Sequence, residues 1–299
     1  MFVETKMGAE TKTGTILTGI IENRRAEVSR RQRIMPETVL RIAAGKADPP
    51  RDFAGALTRG KVNVMAEIKK ASPSAGVLRG DFDSAALARA FQQAGAVALS
   101  VLTEEENFQG ALAHLRDARA AVALPVLRKD FIVDSYQVWE ARAANADSFL
   151  LIAAALDDVA LASLLDLGRE LGMEALVEVH TAEELERVLA AGARIIGANN
   201  RNLHTLEVRM ETSLELVDMI PEDRIAVSES GLRSADDLHK LRAAGFDAFL
   251  IGESLMREAD AGAALARLIA ASEPRGDAER AGHPQLGGEA GAGSSDRSR

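Results

Sequence analysis

The residues best equipped for chemistry sit at the ends of short apolar runs. Met65-Ala-Glu67-Ile-Lys69 sets a carboxylate and an ammonium two residues apart, Leu127-Arg-Lys129-Asp offers a second lysine, and Leu176-Val-Glu178 a second glutamate. Gly197-Ala-Asn199-Asn-Arg201 supplies an amide and a guanidinium, and Ser228-Glu229-Ser230-Gly231 a third glutamate. Lysines and glutamates gathered in one place can give and take protons, as general acid–base catalysis requires. Strand ends meet solvent, so a polar residue at any single one of them is expected. Glu67, Lys69, Lys129, Glu178, Asn199 and Glu229 together are harder to dismiss, because crowding such charges has a desolvation cost that function usually explains better than stability.

The elements that must position these residues repeat along the chain. The apolar runs are 62–68, 96–103, 124–130, 147–153, 173–179, 193–199, 224–230 and 247–253. Most are continuous, as parallel strands covered on both faces require. The segments between them read as helices. Thr181 to Glu184 has the spacing of a capping box, and Thr212 to Glu215 shares it. Gly95, Gly172, Gly192 and Gly245, with Asn145, fall where a helix ends on a left-handed residue before the next strand. Eight such units in about 210 residues predict a (β/α)8 TIM barrel, in which active sites occupy the C-terminal strand ends. The structural rival is an open doubly wound sheet. The absence of a composition break, and of a dinucleotide fingerprint after the first run, favours closure.

One barrel domain is therefore expected over 13–272, with an N-terminal helical extension over 13–60. A flexible N-terminus over 1–12 and a disordered tail over 273–299 complete the chain. The tail holds six Gly, two Pro and Leu286 as its one large apolar residue, too little apolar surface to offset ordering.

Composition narrows the function. The 299 residues carry 36 Lys plus Arg against 45 Asp plus Glu, a formal charge of −9, which argues against a nucleic-acid partner. Zero cysteines exclude disulfides, thiolate nucleophiles and Cys-ligated metals, and fit a reducing, cytoplasmic setting. No apolar stretch reaches the roughly 18–20 residues that span a bilayer, and the N-terminus lacks a signal-peptide layout. Gly55 to Lys61 nearly spells a phosphate loop, but Val62 replaces the needed hydroxyl and the string precedes a strand. The five histidines (114, 180, 204, 239, 283) show no metal-ligand spacing, so no metal is expected; His180, at a strand end, can approach the site. Trp139 reads as core or wall. Loops after the seventh and eighth strands of a barrel commonly bind phosphate through backbone N–H groups, which singles out Ser230-Gly231 and Gly252-Glu253. Glu253 is expected to turn its carboxylate away from such an anion.

Seven strings, AEIKKASPSAG, SVLTEEENFQG, LRKDFIVDSYQ, LVEVH, IGANNRNL, SESGL and LIGESLM, occur in this order. Together they resemble indole-3-glycerol-phosphate synthase of tryptophan biosynthesis, over about residues 14–271. The departures are Ala71, where a basic residue can occur, and Glu253, where serine is common. The resemblance implies a lyase that converts 1-(2-carboxyphenylamino)-1-deoxyribulose 5-phosphate to indole-3-glycerol phosphate, with ring closure and loss of CO2 and water, and no cofactor. It assigns the acid at the substrate carbonyl to Lys129 and divides the remaining proton transfers among Lys69, Glu67 and Glu178, in an order the residues leave open. Whether Lys129 has its pKa lowered by Lys69 and burial or held up by carboxylates is equally open. Asn199 and Arg201 would orient substrate, the guanidinium gripping the anthranilate carboxylate. Glu229 would orient a lysine and bind a hydroxyl. Ser72, Ser230, Gly231, Gly252 and Glu253 match phosphate-side positions, and Phe108, Phe131 and Leu150 would wall the aromatic ring.

Two rivals remain. Phosphoribosylanthranilate isomerase would be expected to use a cysteine, which this chain lacks. A non-catalytic scaffold need not keep both acids and bases. The expected partner is a small phosphorylated substrate, with no membrane, in a monomer or small homo-oligomer. An acidic chain must draw that dianionic substrate by local field rather than net charge.

Overall fold

The computed structural model describes residues 16–58, 62–203 and 205–273. The termini expected to be loose, apart from Glu273, lie outside these residues. So do His204, His283 and the Gly60-Lys61 end of the phosphate-loop-like string.

Eight strands form a closed parallel barrel: Asn63–Ile68, Ala98–Leu102, Val126–Lys129, Ser148–Ile152, Glu174–Val179, Ile195–Asn199, Ile225–Glu229 and Ala248–Ile251. They are called the first to eighth strands below. Each pairs with its sequence neighbours, and the first closes on the eighth with Asn63 opposite Ala248 and Ala66 opposite Ile251. A closed sheet has no unpaired edge. Nearly every strand residue is buried, because helices cover the outer face and side chains fill the inner one.

Successive side chains on a strand point to opposite faces, and two clusters of buried residues show which face is which. The outer cluster joins Val64, Ala66 and Ile68 to helix residues such as Phe91. The inner cluster contains Met65, Leu127, Leu150, Leu176, Ile195 and Val227. Two residues beyond Met65, Leu127, Leu176 and Val227 stand Glu67, Lys129, Glu178 and Glu229. The alternation that fills the barrel with Met, Leu and Val thus carries these four charged residues into the mouth.

The helical extension packs where the sequence placed it. Helices Ile16–Ile34 and Glu37–Lys46 lie against the helix Ser135–Ala143. Val28, Leu40 and Tyr136 bury together, and Trp139 packs beside them with the Arg41 guanidinium 4.5 Å above its ring. A short helix, Phe53–Ala56, sends Phe53 and, just after it, Leu57 into the inner cluster beside Ala98 and Ala248, which begin their strands. This short helix therefore fills the end of the barrel opposite the mouth, while Leu17 and Ile20 of the first helix line a small pocket beside the mouth.

Helix ends follow the sequence closely. Gly95, Gly172, Gly192, Gly245 and Asn145 all have positive φ, from 65° at Asn145 to 115° at Gly245. Thr181 caps its helix by accepting from the Glu184 N–H, but Glu184 turns its carboxylate to the His180 N–H and not back to Thr181. Thr212 is a correction. It lies inside the helix Glu211–Val217, and the Asn200 side chain takes the Ser213 N–H at 3.0 Å instead. A reciprocal capping box forms at Ser234 and Asp237. After the first strand, Ala71–Ser72 pairs antiparallel with Gly76–Val77, a small hairpin.

Candidate active site

The mouth encloses a cavity of about 640 Å³. Its floor is ionic. Lys129 Nζ donates to Glu229 Oε2 at 2.5 Å and to Glu178 Oε2 at 3.2 Å, while Lys69 Nζ donates to Glu67 Oε1 at 2.6 Å. Asn199 completes this level, its Oδ1 accepting from the Arg201 N–H at 2.9 Å. The first, third, fifth, sixth and seventh strands bring these groups together, and the Lys129–Glu229 bond alone joins positions 100 residues apart in the chain.

The charges set one another's proton affinities. Burial works against the Lys129 ammonium, but Glu229, Glu178 and Glu67 outweigh it and hold its pKa above the ordinary lysine value. Burial likewise disfavours the Glu178 carboxylate, and Lys129, His180 and Asn199 reverse this, holding its pKa well below the carboxylate range. Glu229 goes the other way. Burial, with Glu178 and Glu67 nearby, outweighs its contact with Lys129 and pushes its pKa up to about 7. One oxygen, Glu229 Oε1, is buried without a hydrogen-bond partner.

The remaining expected residues divide by wall. Phe108 and Phe131, ring centroids 6.3 Å apart, line the cavity with Leu150. Ser230 and Gly231 also line it, and both have positive φ, 69° and 81°. Such backbone in a non-glycine residue is strained and persists only where its surroundings fix it; here Asn200 Nδ2 donates to the Ser230 carbonyl at 3.0 Å. Ser72 lies outside the main cavity, in an adjoining pocket of about 90 Å³ whose walls include Lys69, Phe108 and Arg201.

Glu253 departs from expectation. It lines the cavity instead of turning away, with Oε2 3.3 Å from Arg201 and Oε1 3.1 Å from Arg257. Two guanidinium groups draw that carboxylate in through charge-assisted contacts.

Some contributions were not visible in the sequence. Gly252, expected on the phosphate side, also supplies room: a Cβ there would collide with the Glu67 side chain. Gly197 does the same for Glu229, whose Oε1 occupies the space of the missing Cβ. Glycine is a poor strand residue and often marks such a close approach, so the run Ile-Ile-Gly-Ala-Asn held that signal. Arg233 and Arg257 also line the cavity and add positive charge beside Ser230-Gly231 and Gly252-Glu253, visible beforehand only as basic residues shortly after the two glycine loops. Among the described residues, no group of three or more His, Asp or Glu could hold a metal ion, and no helix is long and apolar enough to cross a membrane.

A family model described as indole-3-glycerol phosphate synthase matches residues 17–268. The chain belongs to this family. It is 51% identical over 260 residues to an indole-3-glycerol phosphate synthase of Laribacter hongkongensis, covering 85% of this chain and 99% of that one. A namesake from Mycobacterium ulcerans is 48% identical over 257 residues, covering 86% and 94%. Among solved structures, 3-hexulose-6-phosphate synthase matches with TM-score 0.56 at 16% identity, covering 70% of this chain and 99% of that one. Thiamine phosphate pyrophosphorylase from Pyrococcus furiosus gives TM-score 0.55 at 16% identity, covering 72% and 96%. At such identity these two likenesses speak for the barrel alone.

Proposed function

We propose that this barrel mouth carries out the family's reaction with Lys129 as the central acid. The aromatic ring of 1-(2-carboxyphenylamino)-1-deoxyribulose 5-phosphate attacks the ribulose carbonyl, forming a carbon–carbon bond. CO2 then leaves the ring carbon that bore the carboxylate, and the new hydroxyl leaves as water. The observation that carries the reading is Lys129 held between Glu178 and Glu229 at the cavity floor.

The carbonyl oxygen becomes an alkoxide during attack and must be protonated. A lysine kept charged by three carboxylates supplies both the proton and the electrostatic stabilisation. Glu229, at 2.5 Å, retains a proton to near neutral pH and can return one to Lys129 afterwards. Expelling the hydroxyl as water needs a second acid, and Lys69 stands close-paired with Glu67. Removing the ring proton needs a base, and Glu178 is held as a carboxylate, with a free lone pair to accept it.

The ends of the substrate are bound by different chemistry. Arg201 exchanges Glu253 for the anthranilate carboxylate, while Phe108, Phe131 and Leu150 flank the ring. Backbone N–H groups at Ser230-Gly231 and Gly252-Glu253 take the phosphate, with Arg233 and Arg257 adding charge and Ser72 closing the rim from its side pocket. Asn199 orients the substrate beside Glu178. We take 13–272 to work as one domain, in a monomer or small homo-oligomer.

Incubating the protein with this substrate should produce indole fluorescence, and Lys129→Met should remove it. A wild-type chain that binds substrate without turning it over would favour the scaffold reading.

A further inference from the structure

We propose that His180 is a positioning residue that keeps the Glu178 carboxylate ionised and turned toward the cavity. The proposal rests on the reading of Glu178 as the base.

His180 follows the fifth strand, two residues beyond Glu178. Its ring is held from both sides. Nδ1 lies 3.3 Å from Glu184 Oε2, the same oxygen that accepts the His180 backbone N–H at 2.7 Å. Nε2 lies 3.3 Å from Glu178 Oε1, an ion-pair contact without hydrogen-bond geometry. A ring with a carboxylate at each nitrogen is best served by two N–H groups, which means the imidazolium. Burial opposes that charge, yet Glu178 and Glu184 raise its pKa to about 10. The result is an alternating file of charges, Glu184, His180, Glu178, Lys129 and Glu229, running from a helix start to the cavity floor.

Glu229 offers a contrast. Both glutamates touch Lys129, and Glu229 is the nearer, 2.5 Å against 3.2 Å. His180 and Asn199 add to Lys129 in holding the Glu178 carboxylate ionised, while burial and the neighbouring carboxylates push Glu229 the other way. Glu178 faces Lys129 from the third strand, Asn199 from the sixth, Glu229 from the seventh and His180 from its own loop. Glu229 has no imidazole, and its second oxygen stands unpartnered. His180 faces only carboxylates, Glu178 and Glu184, so its charge acts on the base. With Oε1 drawn to His180, Oε2 is left to Lys129 and the substrate.

The test is the pH dependence of kcat in His180→Gln, with Glu178→Gln, Glu184→Gln and His180→Lys alongside. Losing the cation should move the acidic limb to higher pH by about 1–3 units, with KM little changed. H180K, which restores a charge, should return the limb part of the way. E184Q, which loosens the ring from outside the mouth, should shift it in the same direction by less; if H180Q does not fold, this variant carries the test. A limb unmoved in H180Q, or a lowered thermal midpoint with the limb in place, would show a purely structural histidine and overturn the proposal. Should E178Q keep both turnover and limb, the base reading itself falls. If E178Q abolishes turnover while H180Q leaves the limb alone, only the role of His180 is lost.

Discussion

Two buried ionic clusters lie back to back on the third strand, and they are built to opposite ends. Lys129 points into the barrel mouth, while its neighbours Arg128 and Asp130 point outward toward the extension. On the outer side, Arg128 donates to Thr103 Oγ1, the Gln137 carbonyl, Asp130 and Glu140, all between 2.7 and 3.1 Å. Asp130 in turn accepts from Thr103 at 2.6 Å and the Phe131 N–H at 2.9 Å, and pairs with Arg24 of the first helix at 3.1 Å. No polar atom of Arg24, Thr103, Arg128 or Asp130 is among the buried unpartnered ones. The inner cluster leaves Glu229 Oε1 unpartnered and opens on the cavity. Both clusters cost desolvation; the outer one recovers it in hydrogen bonds and locks the extension to the barrel. Buried charge alone therefore does not mark a site. Incomplete pairing beside an empty volume does.

Substitutions on either side of the strand should separate the two roles. The largest effect expected is on turnover in Lys129→Met, a loss of about 10²–10⁴-fold measured by indole fluorescence. Arg128→Met should instead strand Asp130 and Glu140 and cost about 3–5 kcal/mol of stability by denaturant unfolding, while the folded fraction keeps most of its turnover. An R128M that stays stable and loses as much turnover as K129M would break the division. Gly197→Ala or Gly252→Ala should displace Glu229 or Glu67 and lower kcat by about 10²-fold, the usual order for a misplacement near 1 Å. Arg201→Ala removes hydrogen bonds to a charged group worth about 1.5–3 kcal/mol. It should raise KM more than it lowers kcat, and an unchanged KM would free Arg201 from the substrate carboxylate.

The smallest effect sharpens the comparison through pH. Glu229 has a raised folded-state pKa, so its ionised form weakens the fold as pH climbs from the ordinary carboxylate range to about 7. Asp130 is held below its usual value by Arg128, Arg24 and hydrogen bonds that outweigh burial. Its contribution is present above the unfolded pKa and fades as pH falls through the folded one. Glu229→Gln should therefore gain thermal stability above neutral pH and little in acid, while Asp130→Asn should lose stability near neutral pH and less in acid. Thermal scans at both pH values check the opposite signs.

What the residues disclosed beforehand was mostly local. Apolar runs marked all eight strands because both faces are buried, and glycines marked helix ends because only they take positive φ without strain. Strand alternation then carried Glu67, Lys129, Glu178 and Glu229 into one mouth. What stayed hidden depends on distant partners. Thr212 looked like a cap because the pattern cannot show that the helix already begins at Glu211, with Asn200 reaching in to the Ser213 N–H. Glu253 was expected to turn away because the string does not reveal Arg201 and Arg257 waiting for it. The direction of the Lys129 shift needed the count of carboxylates around it, and Leu-Arg-Lys-Asp alone does not say which charge faces which cluster.

The seam between the first and eighth strands has a consequence for synthesis on the ribosome. Asn63 opposes Ala248, and Glu67 needs the space left by Gly252, so the first acid to emerge waits nearly the whole translation for its last neighbour. Until then the nascent chain exposes the edges of an open sheet, and pairings this far apart in sequence form slowly. A chain stalled before residue 248 would have most of its helices and most of its charges and no mouth to hold them. Catalysis in this protein thus certifies that translation has passed the eighth strand.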